Sequence, residues 1–117
     1  MIDYASASKQ DAPSGTSREL AERLAEVRRP RVEVPVDETH GASEARGATV
    51  AGTQIHSLRL PSFTVSTEAV FAAPGERLAI RHDAGESAAP YVAGTLLAIR
   101  AIPGRVGLTR GLDRLLA

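Results

Sequence analysis

The spacing of apolar positions changes several times along the chain, and each change predicts an element. Leu20, Leu24 and Val27 recur at i, i+4 and i+7 against Glu19, Glu22, Arg23 and Glu26. That spacing predicts an amphipathic first helix over residues 17–28, stopped by Pro30 and preceded by a short opening strand and a turn at Asp11 to Pro13. Residues 31–36 alternate Val32, Val34 and Val36 with Arg31, Glu33 and Pro35, but two prolines reduce them to an edge strand or an extended linker. Residues 37–49 are polar and rich in Gly and Ala, and read as a loop. Three strands follow over residues 53–60, 63–72 and 77–82, separated by Pro61-Ser62 and by Pro74-Gly75, the latter suited to a type II turn. In the first of them Gln54, His56, Leu58 and Leu60 oppose Ile55, Ser57 and Arg59, so it is expected to be covered on both faces. A second helix runs from Glu86 or Ser87 to about Ile102, where Pro103-Gly104 ends it.

This order predicts an α+β fold: a mainly antiparallel or mixed open sheet, its last three strands a meander, with helices on one face. The uncovered face is expected to be an oligomerisation surface, with Phe63, Val65, Val70 and Phe71 as candidates; the same four residues equally suit an internal core. A chain of 117 residues suits a single domain spanning 1–117. The lack of cysteine removes disulfide and thiolate chemistry and fits a cytoplasmic protein. Fourteen basic residues balance fourteen acidic ones and only four residues are aromatic, which argues against nucleic-acid binding. Arg28-Arg29-Pro30-Arg31 reads as the solvated end of the first helix. No apolar stretch has the length of a membrane span, and no secretory signal pattern opens the chain.

Candidate chemistry concentrates in Lys9-Gln10-Asp11-Ala12-Pro13-Ser14-Gly15-Thr16. Pro13 keeps the segment before the helix extended. Gly15 lets a ligand approach the backbone, Ser14 and Thr16 add hydroxyls beside unpaired amide groups, and Lys9 supplies a cation. Such a helix start accepts a carboxylate or phosphate. The same residues also read as an ordinary helix start, with Thr16 and Glu19 forming a capping box.

Other polar residues suggest less. A regular strand over residues 2–8 would put Tyr4, Ser6 and Ser8 on one face and Ala5, Ala7 and Lys9 on the other, separating the phenol from the ammonium. His40, His56 and His82 lack partners at metal-ligand spacing, so no metal is assigned, and no Gly-x-Ser-x-Gly elbow supports a nucleophilic triad. Neither Gly-x-Gly-x-x-Gly nor a Walker lysine loop occurs, so no cofactor-binding residue is assigned.

The run from Lys9 to Thr16 resembles the Lys-x-Asp-Ala-Pro-Ser-Gly-Thr signature of the dihydrodipicolinate reductase family, the 4-hydroxy-tetrahydrodipicolinate reductases of lysine and diaminopimelate biosynthesis. Ala45-Arg46-Gly47, His56 to Leu60, Val70-Phe71, Gly75-Glu76, Ile80 to Asp83, Gly107-Leu108 and Gly111-Leu112 follow in that family's order. The resemblance implies a C-terminal substrate-binding domain that assembles sheet to sheet as a homotetramer. It also implies a separate nucleotide-binding domain, absent from this chain, that delivers hydride from NADH or NADPH to a cyclic dicarboxylate imine. Lys9 takes the family's catalytic lysine position, and Lys9, Ser14, Gly15 and Thr16 take its substrate-binding positions.

Two departures stand beside the matches. Ala5 and Ser6 occupy the place of the family's paired histidines, and Ala88 the place of an arginine three residues before the aromatic Tyr91. An imidazole titrates near neutral pH and a serine hydroxyl does not, so Lys9 would act without its usual acid partner. Two readings of function follow. One is the substrate and oligomerisation domain of a nicotinamide-dependent imine reductase. The other is a catalytically silent or repurposed paralogue kept for anion binding and assembly.

Overall fold

The computed structural model describes residues 1–62 and 64–116. It divides into two compact units, Met1–Glu86 and the segment from Ser87 onward. The first unit contains β1 (Ile2–Ser6), α1 (Gly15–Val27), β2 (Ala48–Val50), β3 (Thr53–Leu60), β4 (Val65–Ala73) and β5 (Glu76–Asp83). The fold is α+β with a mixed open sheet, in the order β2-β3-β1-β4-β5.

That order corrects the expected meander, because the opening strand inserts between the two strands expected to be neighbours. β1 runs parallel to β3, from Ile2 opposite His56 to Ser6 opposite Leu60, and antiparallel to β4, from Ile2 opposite Glu68 to Ala5 opposite Val65. Parallel pairing needs a long crossover, which α1 and the chain after it supply. β4 and β5 do form the expected hairpin, with Ala73 opposite Glu76 and Gly75 at φ 80, as a type II turn requires. Residues 31–36 form no strand. Residues 48–50, read as loop, make the short β2, whose turn to β3 carries positive φ at both Ala51 and Gly52, the two-residue geometry that matches strand twist.

α1 begins two residues before its expected start. Its N-cap is Ser14, whose hydroxyl accepts from the Ser17 amide at 3.4 Å, so the expected Thr16–Glu19 capping box does not form the cap. The deepest face of α1 is Ser17 and Ala21, with Leu20 and Leu24 only half-buried and Val27 exposed. Small residues four apart let α1 lie close to the sheet, and hydrophobic periodicity does not register a serine as an inward position.

On the sheet side, Asp3 and Ala5 point towards α1, as do Ile55 and Arg59. Among the described residues of this unit, the buried apolar ones include Ala5, Pro13, Ala21, Ile55, Ala69 and Ala84, and Asp3, Ser14, Ser17 and Ser66 are buried polar residues. Its core is thus thin, small-residue and partly polar. β3 is open on one side rather than covered on both, since His56, Leu58 and Leu60 are exposed on the face away from α1. Val65 pairs with buried Ala5, which puts it on the α1 face, half-buried, whereas Val70 belongs to the opposite, open face. Phe71 points to the same side as Val65 and is exposed; Phe63 lies outside the described residues.

The second unit contains α2 (Ala89–Ala101), shorter at both ends than expected, and two 3-10 turns, Ile102–Gly104 and Leu112–Leu115. Gly94 lets the second turn close on the helix: a Cβ there would lie 2.8 Å from a methyl of Leu112. No residue of α2 is buried.

Candidate functional site

The site is organised by a carboxylate that the sequence pattern does not single out. Asp3, in the central strand β1, is fully buried, and five donors converge on its two oxygens. The Ser14 hydroxyl donates to Oδ1 at 2.6 Å and the Ser14 amide to Oδ2 at 2.8 Å. The Ser17 hydroxyl reaches Oδ1 at 3.3 Å, and the Ser57 hydroxyl reaches Oδ2 at 3.0 Å. The fifth is the Arg59 guanidinium, whose Nη2 stands 3.1 Å from Oδ2. Burial pushes the Asp3 carboxyl up, but the bonds from Ser14, Arg59 and Ser57 outweigh it, so the group is held below its ordinary value.

These donors come from α1 and β3, so Asp3 ties the start of the helix to the neighbouring parallel strand. Arg59 extends the link. Its Nη1 donates to the Asp3 carbonyl at 3.4 Å and the Leu58 carbonyl at 3.0 Å, and its Nη2 also donates to the carbonyl of Asp11 in the loop between β1 and α1. The Asp11 side chain accepts in turn from Lys9, at 2.7 Å. That hydrogen bond keeps the Asp11 carboxyl below its ordinary value.

The chain leaves β1 by a turn at Ala7 and Ser8, closed by the Lys9 amide on the Ser6 carbonyl at 3.0 Å. The strand therefore does not continue to Ser8, and the simple alternation expected for Lys9 does not apply. Tyr4 stands on the face away from Asp3, with the Arg81 guanidinium 4.9 Å from its ring centre. Ala5 is fully buried beneath α1, whereas Ser6 is half-buried on the other face, its hydroxyl 3.0 Å from that of Ser8.

The expected site residues thus divide by role. Ser14 is buried, with its hydroxyl proton and its amide both given to Asp3. Gly15 and Thr16 are exposed in the first turn of α1, where the helix supplies no acceptor for their amides. A Cβ built on Gly15 meets nothing within 4 Å. Lys9 is partly exposed and paired to Asp11. A cation at the loop's entry and open amides at its exit make an arrangement that can receive a carboxylate. The residues that sequence reasoning missed are Asp3, Ser17, Ser57 and Arg59. The alternation of β3 already puts Ile55, Ser57 and Arg59 on one face, but that this face meets Asp3 becomes visible only when β3 is paired with β1.

Among the described residues no group of three His, Cys, Asp or Glu side chains could hold a metal ion, and no helix is long and apolar enough to cross a membrane. The β1–α1 connection, residues 7–14, holds no glycine, and so does not fit the glycine-rich turn that receives a dinucleotide pyrophosphate.

The chain is similar to known proteins in sequence and in fold. A 4-hydroxy-tetrahydrodipicolinate reductase of Mycolicibacterium smegmatis is 43% identical over 108 residues, covering 92% of this chain and 44% of that protein. The enzyme of the same name from Streptococcus gordonii is 40% identical over 108 residues, covering 92% and 42%. The chain thus spans less than half the length of these relatives. A solved structure described as dipicolinate-bound dihydrodipicolinate reductase from Paenisporosarcina sp. TG-14 superposes with a TM-score of 0.80 at 31% identity, covering 97% of this chain and 42% of that one. The family described as dihydrodipicolinate reductase, C-terminus, matches residues 1–116, and with a shared fold and relatives at this level of identity the chain belongs to that family.

Proposed function

We propose that this chain is the substrate-binding and oligomerisation domain of a nicotinamide-dependent imine reductase of the 4-hydroxy-tetrahydrodipicolinate reductase type, and that Lys9, Gly15 and Thr16 receive one carboxylate of a small cyclic dicarboxylate. The observation that carries this reading is the open start of α1. Gly15 has no positive φ and no packed neighbour, so neither backbone strain nor close packing requires a glycine there. A ligand that must approach the amides does. The dipicolinate-bound relative supports a planar dicarboxylate as the ligand class. NADH or NADPH would supply the hydride from a separate nucleotide-binding domain. This chain's own residues would anchor the carboxylate, and the Lys9 ammonium would stand beside the substrate as a charge partner and proton donor.

Calorimetry with pyridine-2,6-dicarboxylate tests the site. Loss of one charge-assisted contact costs about 1.5–3 kcal/mol, so Lys9→Ala should weaken binding roughly 10- to 150-fold. Gly15→Ala should weaken binding while leaving stability equal or slightly raised, because alanine is the better helix former. A folded wild type that does not bind, or a Lys9→Ala variant with unchanged affinity, would reject the reading.

A second reading, a silent or repurposed member kept for anion binding and assembly, is favoured by Ala5. Its side chain is fully buried under α1, so an imidazole is missing at a position where this chain has packed its core.

Assembly is proposed to run through the sheet face opposite α1, giving a homotetramer. Exposed Leu58, Leu60 and Val70 on that face support it, since apolar surface of this kind gains roughly 25 cal/mol per Å² when covered. Light scattering at micromolar concentration should report a closed, defined oligomer that Leu58→Glu with Val70→Asp dissociates. A stable wild-type monomer would refute it.

A further inference from the structure

We infer that Asp3 and Arg59 are positioning residues, a buried ion pair that holds both ends of the Lys9–Thr16 loop to one reference point. The inference rests on the binding reading above and adds how the loop keeps its shape. At the exit, Asp3 takes the hydroxyl and amide of Ser14, which sets where the amides of Gly15 and Thr16 point. At the entry, Arg59 takes the carbonyl of Asp11, whose carboxylate pairs with Lys9. Two groups that would meet the same anion, one before and one after Pro13, are therefore both referred to the carboxylate of Asp3.

Packing alone does not account for the pair. A buried ion pair is a poor source of stability, because removing two charges from water offsets most of their attraction, and apolar residues of equal volume serve a core as well or better. Arg59 also leaves its buried Nε without a partner among the described residues. A guanidinium placed only for stability would satisfy that group. Here the side chain is arranged so that Nη2 reaches past Asp3 to the loop. Arg59→Lys separates the two roles: an ammonium can still neutralise Asp3, but it lacks the second nitrogen, Nη1, that fixes the guanidinium on the Asp3 and Leu58 carbonyls while Nη2 holds the Asp3 carboxylate and the Asp11 carbonyl.

A double-mutant cycle with pyridine-2,6-dicarboxylate tests this on the 117-residue chain. Arg59→Lys should lower affinity at least tenfold while the protein stays folded by circular dichroism, and Lys9→Ala combined with it should bind little worse than Lys9→Ala alone. Additive losses, or wild-type affinity in folded Arg59→Lys, would overturn the inference. Where Arg59→Lys fails to fold, Asp3→Asn with Arg59→Met removes both buried charges together and takes its place in the cycle. Amide exchange in the ligand-free protein is independent of any ligand. The substitution should speed exchange at Lys9, Ser14 and Ser17 at least tenfold and leave the β4–β5 hairpin unchanged. If the wild type binds no dicarboxylate, the binding reading falls and the exchange result alone decides the positioning role, equal rates overturning it.

Discussion

Asp3→Ala should cost about 3–5 kcal/mol of stability, the loss expected when one partner of a buried ion pair is removed and the other is left without its counter-charge. Arg59, only 17% exposed, would lose its carboxylate. Ser14, Ser17 and Ser57 would lose their acceptor at the same time. Domains of this size are stable by roughly 5–15 kcal/mol in total, so the variant should be close to unfolding at room temperature. Urea titration measures it, and a loss below about 1 kcal/mol would show that the network contributes little. The same carboxylate links stability to pH. Its folded pKa is depressed, so its contribution is fully present above the ordinary value of 3.8 and is lost as the pH falls through the lower, folded value. Wild-type stability should drop through that acid window, and Asp3→Asn should lack that part of the drop.

The second large effect concerns turnover and rests on the proposed function. Joined to a nucleotide-binding domain, this domain should reduce the family's imine roughly 10²- to 10⁴-fold more slowly than a relative bearing the histidine pair, the usual contribution of a positioned general acid. The structure separates the two missing positions. Ser6 is only half-buried, on the face away from α1, so Ser6→His disturbs packing less and should recover part of the rate. Ala5 is enclosed, and Ala5→His should cost about 1–3 kcal/mol of stability through overpacking before any catalytic gain is read. Steady-state kinetics of the fused enzyme decide it. Turnover at the level of a histidine-bearing relative, without either substitution, would mean that another group donates the proton.

Much of the local structure was legible in the sequence. The 53–60 strand, the Pro74-Gly75 hairpin and the presence of α1 follow from alternation, turn chemistry and helical spacing, although the inward face of α1 is Ser17 and Ala21 rather than the leucine stripe. These are properties of a few neighbouring residues. Sheet order is not such a property: β1 is five residues long and shows little alternation, and nothing in it indicates that it lies between β3 and β4. The candidate site divided in the same way. Lys9 and Ser14 to Thr16 stood out because Pro13 and a helix start lie between and beside them. Asp3 and Arg59 did not, because their contact depends on a parallel register between segments more than fifty positions apart. Ser17 was hidden for a different reason, since a serine facing inward reads as polar surface until its carboxylate partner is known.

The insertion of β1 between β3 and β4 also predicts an order of events during folding. The β4–β5 hairpin joins residues close in the chain, so its pairing closes only a short loop, whereas β1 must wait for partners at both residues 53–60 and 65–73. Pulse-labelled hydrogen exchange should therefore protect the amides of Ala69 and Ile80 before those of Tyr4 and Ala5, and simultaneous protection would contradict this order. Of the strands of this sheet, the one made first would be the last to dock. The Lys9–Thr16 loop, carried between that strand and α1, would take its shape only once the sheet around it is complete.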